Sequence, residues 1–414
     1  MKIAKEDFYK ITLLMAVGFY LSIVGFGADL LFNIESGIES SRSGNRINQV
    51  LGLAIFFAGL FILFKIQKVS VSEIAKMAWP LWALLVLFSF SITWSYTPNI
   101  SVRRVIALIT MVFTCLALVK MYTPTSLLNV IANAIVLTVV LGLITTVLSG
   151  QGLSFGLSDR SLGFRGIFGD KNGAARVYTY GLLLFIGLGR YQKKRDLVCL
   201  SLLVFAVLVS QSATAVVMAV MGTGLIVLFN TFKGKAIKQN LLRFIVLMAL
   251  LLLGSYIANI AYEFILSALG RDPTLTNRAI IWELIDPLIV EELLLGYGYG
   301  AFWLSEGAIP FIERWGFIGN AHSGYREIML HSGIVGLGAL LFLLAFQLVN
   351  AIKLYIAPAN KKLTSLLLMM VIIQAIINYI GYIIINHNSV DMFLFLICFF
   401  IICNENQKSK QEVV

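Results

Sequence analysis

The chain has 414 residues, 59% of them hydrophobic and 13% charged, with a formal net charge of +11. Soluble domains carry about 25% charged residues, and half that charge leaves too little polar surface to cover a water-exposed globule. The apolar stretches run unbroken, without the period-two alternation of a β-barrel. The basic residues are dispersed in a way that argues against nucleic acid as a partner. An all-α polytopic membrane protein remains.

Backbone inside a bilayer must satisfy its own polar groups, so apolar runs of about 17–25 residues predict helices. Twelve are predicted, at 11–32, 48–66, 79–95, 102–121, 125–149, 174–189, 196–210, 212–229, 241–263, 329–351, 363–385 and 390–403. The first is longer than a signal-peptide core and no small-residue cleavage site follows it, so it reads as a retained span. Only Ser210-Gln211-Ser212 divides the stretch 196–229, which is otherwise one long kinked span. Cys115, Cys199, Cys398 and Cys403 all lie in apolar runs, without the spacing of a metal site or a disulfide. No repeat or separate soluble domain is evident, so residues 1–414 read as one integral-membrane domain.

Loop charge orients these spans. With both termini inside, 20 of the 32 basic residues fall on the cytoplasmic side, 17 lysines and 3 arginines. The outer side holds Lys171 and eleven arginines: Arg42, Arg46, Arg103, Arg104, Arg160, Arg165, Arg176, Arg271, Arg278, Arg314 and Arg326. Lysine suffices to set topology, whereas the planar guanidinium suits bidentate recognition of phosphate or carboxylate. Pairing with nearby carboxylates or lipid headgroups is the plainer alternative. Two outer segments are long: a Gly-rich loop at 150–173 and a loop at 264–326 with helical potential from Asn277 to Leu295. Thr276 or Asn277 is a candidate N-cap there, and Pro287 is expected to interrupt or kink the helix.

Three motifs carry candidate chemistry. Gly163-Phe-Arg165-Gly-Ile-Phe-Gly-Asp-Lys171-Asn172-Gly173 brings two cations to a glycine-rich turn just before a helix start, where amide donors and the dipole favour an anion. In the long loop, Thr276-Asn-Arg278-Ala-Ile-Ile-Trp282 precedes Gly296-Tyr297-Gly-Tyr299-Gly-Ala-Phe302-Trp303. Arg278 would again face an anion. The aromatic residues offer flat surfaces for sugar rings or isoprenoid, unless they form an interfacial belt. Finally, Asn320-Ala-His322-Ser-Gly-Tyr325-Arg326-Glu327 leads into Leu330-His331-Ser-Gly-Ile-Val-Gly-Leu-Gly338. His322 titrates near neutrality and suits activation of a sugar hydroxyl. His331 reads as a packing histidine, and His387 lies in a short outer turn. Three dispersed histidines and no Asp-x-Asp give neither metal ligands nor a cofactor site.

The ordered set of three motifs, over residues 150–340, resembles the O-antigen ligase and polymerase (Wzy-like) superfamily of bacterial membrane glycosyltransferases. Within it, the chain is most similar to exopolysaccharide polymerases of the succinoglycan type. That subgroup usually carries His-Asn where this chain has His322-Ser323. The resemblance implies a metal-independent GT-C-type enzyme of the bacterial inner membrane, with its active site on the periplasmic face and undecaprenyl-pyrophosphate-linked glycans as substrates. Arg165 and Arg278 would hold the pyrophosphate, and His322 would activate or position the acceptor. Lys171, Asn172, Trp282, Tyr297, Tyr299, Tyr325 and Arg326 would contact substrate. Membrane lipids, a chain-length regulator and a flippase would be its other partners. Polymerase and ligase share this donor chemistry. A transporter is the reading from a different class, and the absence of repeated halves and of mid-span charges argues against it.

Overall fold

The computed structural model describes residues 5–32, 45–155, 162–232, 276–315, 319–357, 360–381 and 384–411, with isolated helical positions between 241 and 256. The span predicted at 241–263, the start of the long outer loop, and Arg42, Arg160 and Arg271 lie outside the described residues. Arg278 has a described backbone only.

The chain is nearly all-α. In order, α1 is Lys5–Tyr20, α2 Ile23–Phe32, α3 Arg46–Phe61 (running into a π turn, Ile62–Ile66), α4 Val71–Met77, α5 Trp79–Phe90 and α6 Pro98–Met121. There follow α7 Pro124–Ser149, α8 Lys171–Gly187, α9 Lys194–Val209, α10 Ala213–Phe232 and α11 Thr276–Glu291. The last four are α12 Ile309–Trp315, α13 Gly324–Ile356, α14 Lys361–Ile377 and α15 Val390–Gln411.

Six of these are long and apolar enough to cross a membrane, or seven if α4 and α5, bent by 96°, form one broken span. Many large apolar side chains, such as Phe57, Val86, Phe90, Val147 and Leu208, are exposed. On a soluble protein that would be a liability; on a membrane protein it is the lipid-facing surface.

Helix starts follow local chemistry. The Asn45 side chain accepts from the amides of Ile47 and Asn48 at the start of α3. Ser70 accepts from Glu73 N ahead of α4. Pro98 opens α6, where its missing N–H costs nothing. The polar break Ser210-Gln211-Ser212 separates α9 from α10, with Gln211 at φ 53°. Two expectations change. The Gly-rich stretch 150–173 contains a short antiparallel hairpin, β1 Leu153–Phe155 with β2 Leu162–Phe164. Pro287 stands inside α11 without ending it: the helix runs on to Glu291, since proline removes a single N–H donor.

The chain divides into two compact units. Unit 1 comprises residues 1–123, 278–347 and 374–414; unit 2 comprises 124–277 and 348–373. In unit 2, α8 packs against α7, α9 and α10. Gly181 meets Ile135 and Leu203, and Gly222 meets Leu183, so closely that even a methyl group would collide. In unit 1, α6 packs against α3 and α15. Helix α13 is kinked at Ser332 and Gly333, and at the kink Ile334 N donates to Leu293 O at 2.8 Å. The kink thereby seats the loop that follows α11.

Candidate functional site

His322 lies in unit 1 on the tight turn before α13. Its backbone is left-handed, φ 50°, a conformation that costs an L-residue roughly 1–2 kcal/mol and persists only where surroundings dictate it. Here they do. Trp282 Nε1 donates to Ala321 O at 2.9 Å and Ala321 N donates to Glu327 Oε2 at 2.7 Å. His322 N donates to Asn320 Oδ1 at 2.9 Å, and Gly324 N reaches the carbonyls of Asn378 and Gly381 at 2.7 and 2.8 Å. The residue as a whole is partly exposed.

Glu327, 1% exposed, organises what lies beneath. Its carboxyl group accepts from Trp303 Nε1 at 3.0 and 3.1 Å as well as from Ala321 N, and His331 Nε2 stands 3.2 Å away. Trp303, Phe302 and Phe311 pack edge to face around it. Trp303 and Phe302 are therefore core residues and not an interfacial belt.

The Gly296-Tyr297-Gly298-Tyr299-Gly300 run is a packed strap. All three glycines have left-handed φ, 62°, 94° and 67°. A Cβ would come within 2.7 Å of Leu330 O at Gly296 and 2.6 Å of the Ser95 side chain at Gly298. Tyr297 and Tyr299 are buried. The Tyr297 hydroxyl donates to Leu288 O at 2.8 Å, and its amide donates to Leu330 O at 2.8 Å. Burial pushes this hydroxyl up to about 12, reinforced by Glu291. Tyr299 stacks on Phe88 with ring centres 4.6 Å apart, and its hydroxyl donates to Ile385 O. Burial raises that group too. The two phenols thus remain protonated hydrogen-bond donors inside the protein.

The accessible face beside His322 is built from other side chains. Arg326 forms a two-pronged pair with Asp286, at 2.7 and 3.1 Å, and lies over the Trp282 ring at 4.4 Å. Trp282 in turn meets Tyr379, with centroids 5.7 Å apart. The Tyr325 hydroxyl donates to Ala375 O at 2.7 Å. Arg278 occupies the position one helical turn before Trp282 on α11.

Arg165, Lys171 and Asn172 belong to unit 2. Arg165 donates from Nε to Gln151 O at 2.9 Å and from Nη1 to Gly169 O at 3.3 Å, so carbonyls of its own loop fix the guanidinium plane. Tyr178 donates to Arg165 O. The expectation of an anion seated directly on the start of α8 meets a self-made cap: the Asp170 carboxylate already accepts from Gly173 N at 2.8 Å. Lys171 is buried, its stem against Gly163, while Asn172 is partly exposed.

Three residues absent from the predicted site also stand in unit 1. Arg104 donates to the Gly300 carbonyl, and Arg104, Arg103 and His387 share a cleft. The arginine-rich set expected from loop charge was the signal that could have found Arg103 and Arg104. Among the described residues, no group of three or more His, Cys, Asp or Glu stands in a metal-holding arrangement.

No curated protein matched the chain. The family model described as O-antigen ligase (Wzy_C) matches residues 198–343, a stretch that includes Arg278, Trp282, the Gly-Tyr strap, His322, Tyr325 and Arg326. Arg165, Lys171 and Asn172 precede it. With its apolar helices the chain is an integral membrane protein, and the matched segment supports the Wzy-like/O-antigen ligase superfamily.

Proposed function

We propose that the protein is a bacterial inner-membrane glycosyltransferase that polymerises undecaprenyl-pyrophosphate-linked repeat units on the periplasmic face, in the manner of succinoglycan-type exopolysaccharide polymerases. The topology has twelve spans, both termini in the cytoplasm, and the loop 264–326 outside. The observation that carries this reading is His322, a partly exposed residue in a left-handed turn whose backbone donates to Glu327 and Asn320 and accepts from Trp282. A histidine so fixed is a general base or a positioning group for a sugar hydroxyl.

The bond that breaks joins the anomeric carbon to the lipid diphosphate, and negative charge grows on the leaving oxygen. An arginine meets that charge, the role that the resemblance implies for Arg165 and for Arg278, and donors aimed where charge develops stabilise the transition state more than the ground state. The acceptor hydroxyl attacks the anomeric carbon and surrenders its proton towards His322. Trp282, Tyr325 and Arg326 contact the glycan. Tyr297 and Tyr299 act from within by shaping the loop, and Lys171 and Asn172 support the Arg165 turn. A diphosphate leaves readily, so the reaction runs without metal or cofactor. A chain-length regulator and a flippase would work alongside.

The O-antigen ligase description of the matched family favours a second reading, transfer of the finished glycan to lipid A-core. Purified protein given one lipid-linked repeat unit separates the two. A size ladder supports polymerase, and reaction only after a second acceptor is added supports ligase. Normal chain lengths from His322→Ala and Arg278→Ala at normal protein levels would refute both.

A further inference from the structure

Unit 1 contains a cleft of about 490 Å³ that the proposed reaction centre does not use. Its polar end is formed by Arg103, Arg104 and His387, with the carboxamides of Asn45, Asn48 and Asn388 around them. Among the described residues lining it there is no carboxylate. The cleft sits where α3 and α6 begin, and His387 and Asn388 immediately precede α15. Asn45 and Ser389 already cap the amides at the starts of α3 and α15, whereas α6 begins without a side-chain cap, and its positive dipole end favours an anion. The Arg104 guanidinium is fixed by its bond to the Gly300 carbonyl. His387 Nδ1 is enclosed and has no hydrogen-bond partner. Burial, with Arg104, His331 and Arg103 close by, holds this imidazole well below its ordinary pKa. It is neutral, and it can still donate one hydrogen bond.

The cleft also has apolar lining that reaches the exposed surface. Leu53, Val102 and Ile106 line it and are each exposed. A charged floor with a greasy, outward-facing wall suits an amphiphile: a phosphate-bearing head group inside, its hydrocarbon leaving sideways.

We propose that the Arg103–Arg104–His387 cleft is a head-group site for a phosphate-bearing lipid, separate from the residues assigned to the donor diphosphate. On the reading given under Proposed function, two lipid-linked glycans must be held at once, and this cleft takes the diphosphate of the acceptor.

The test uses full-length protein in detergent and native mass spectrometry with farnesyl diphosphate, inorganic pyrophosphate and farnesol as probes. Farnesyl diphosphate should bind, and Arg103→Gln should weaken one of its binding events at least tenfold. Leu53→Trp changes an exposed position, and it should do the same by blocking the apolar wall. Inorganic pyrophosphate and farnesol should each bind at least tenfold more weakly than the intact amphiphile. Unchanged farnesyl diphosphate binding in both variants overturns the site, as does farnesol binding as tightly as the diphosphate. Displacement by glucuronate at equal concentration also overturns it, by pointing to an acidic sugar. If phosphatidylglycerol competes as well as farnesyl diphosphate, the phosphate-lipid site stands and the acceptor assignment falls. If the protein makes no glycan product yet Arg103-dependent binding persists, the cleft survives and the catalytic reading fails.

Discussion

Replacing Glu327 isolates the groups that fix the His322 turn. Three donors converge on its carboxyl group: Trp303 Nε1, Ala321 N and His331 Nε2, at 2.7–3.2 Å in a site 1% exposed. Stranding a buried donor costs about 1–3 kcal/mol, so Glu327→Ala has a simple upper range of roughly 3–9 kcal/mol. Neighbouring losses are not additive, and relaxation of the turn brings the expected cost to about 3–5 kcal/mol. Glu327→Gln keeps one carbonyl oxygen for Ala321 N and Trp303 but presents N–H groups to His331, for about 1–2 kcal/mol. The released Ala321 amide also frees His322 from its left-handed conformation. Misplacing a reacting group by 1 Å can cost about 10²-fold in rate, so alanine should shorten polymer severely and glutamine only partly. The measurements are the temperature at which half the detergent-solubilised protein leaves its monodisperse chromatographic peak, and chain length on a glycan gel. A Glu327→Ala variant with the wild-type midpoint and normal polymer would refute the idea that this carboxyl group organises the turn.

Gly333→Ala should destabilise by about 2 kcal/mol or more, since φ is 59° and the new methyl would lie 2.3 Å from the Leu294 carbonyl group; the same melting assay reads it. Asp286→Asn should change stability by under about 1 kcal/mol, because the Arg326 pair is partly exposed, while raising the KM for the glycan as Arg326 loses its place over Trp282. Arg165→Lys should slow polymer growth, since a point charge cannot hold Gln151 O and Gly169 O and also grip a diphosphate; a wild-type rate would remove Arg165 from the site. His387 has a depressed folded pKa and an unfolded value near 6.5. Below about 6.5 the unfolded chain therefore binds the extra proton, and stability is lost as pH falls. A His387→Asn variant should show a flatter melting temperature between about pH 6.5 and 5 than the wild type.

Helix positions were legible because their cause is local. The runs read at 102–121, 125–149, 196–210 and 212–229 reappear as α6, α7, α9 and α10 within a few residues. Apolar length and the polar break at 210–212 are written in the immediate sequence. Of the candidate site, a helix beginning near Asn277 was foreseen from polar residues placed before an apolar run, and α11 begins at Thr276. The role of the Gly-Tyr strap was not. A tyrosine on a glycine-rich loop looks the same in sequence whether it faces sugar or core, and only the docking of Tyr299 on Phe88 and Ser91 decides.

Sequence alone therefore established a membrane-embedded, nearly all-helical chain, because backbone satisfaction in lipid acts over one span at a time. Tertiary structure alone decided that Glu327 lies under the His322 turn, and that Arg104 is held by Gly300, 196 residues away, beside His387. Such pairings depend on which helix faces meet, and no periodicity within a single segment encodes that.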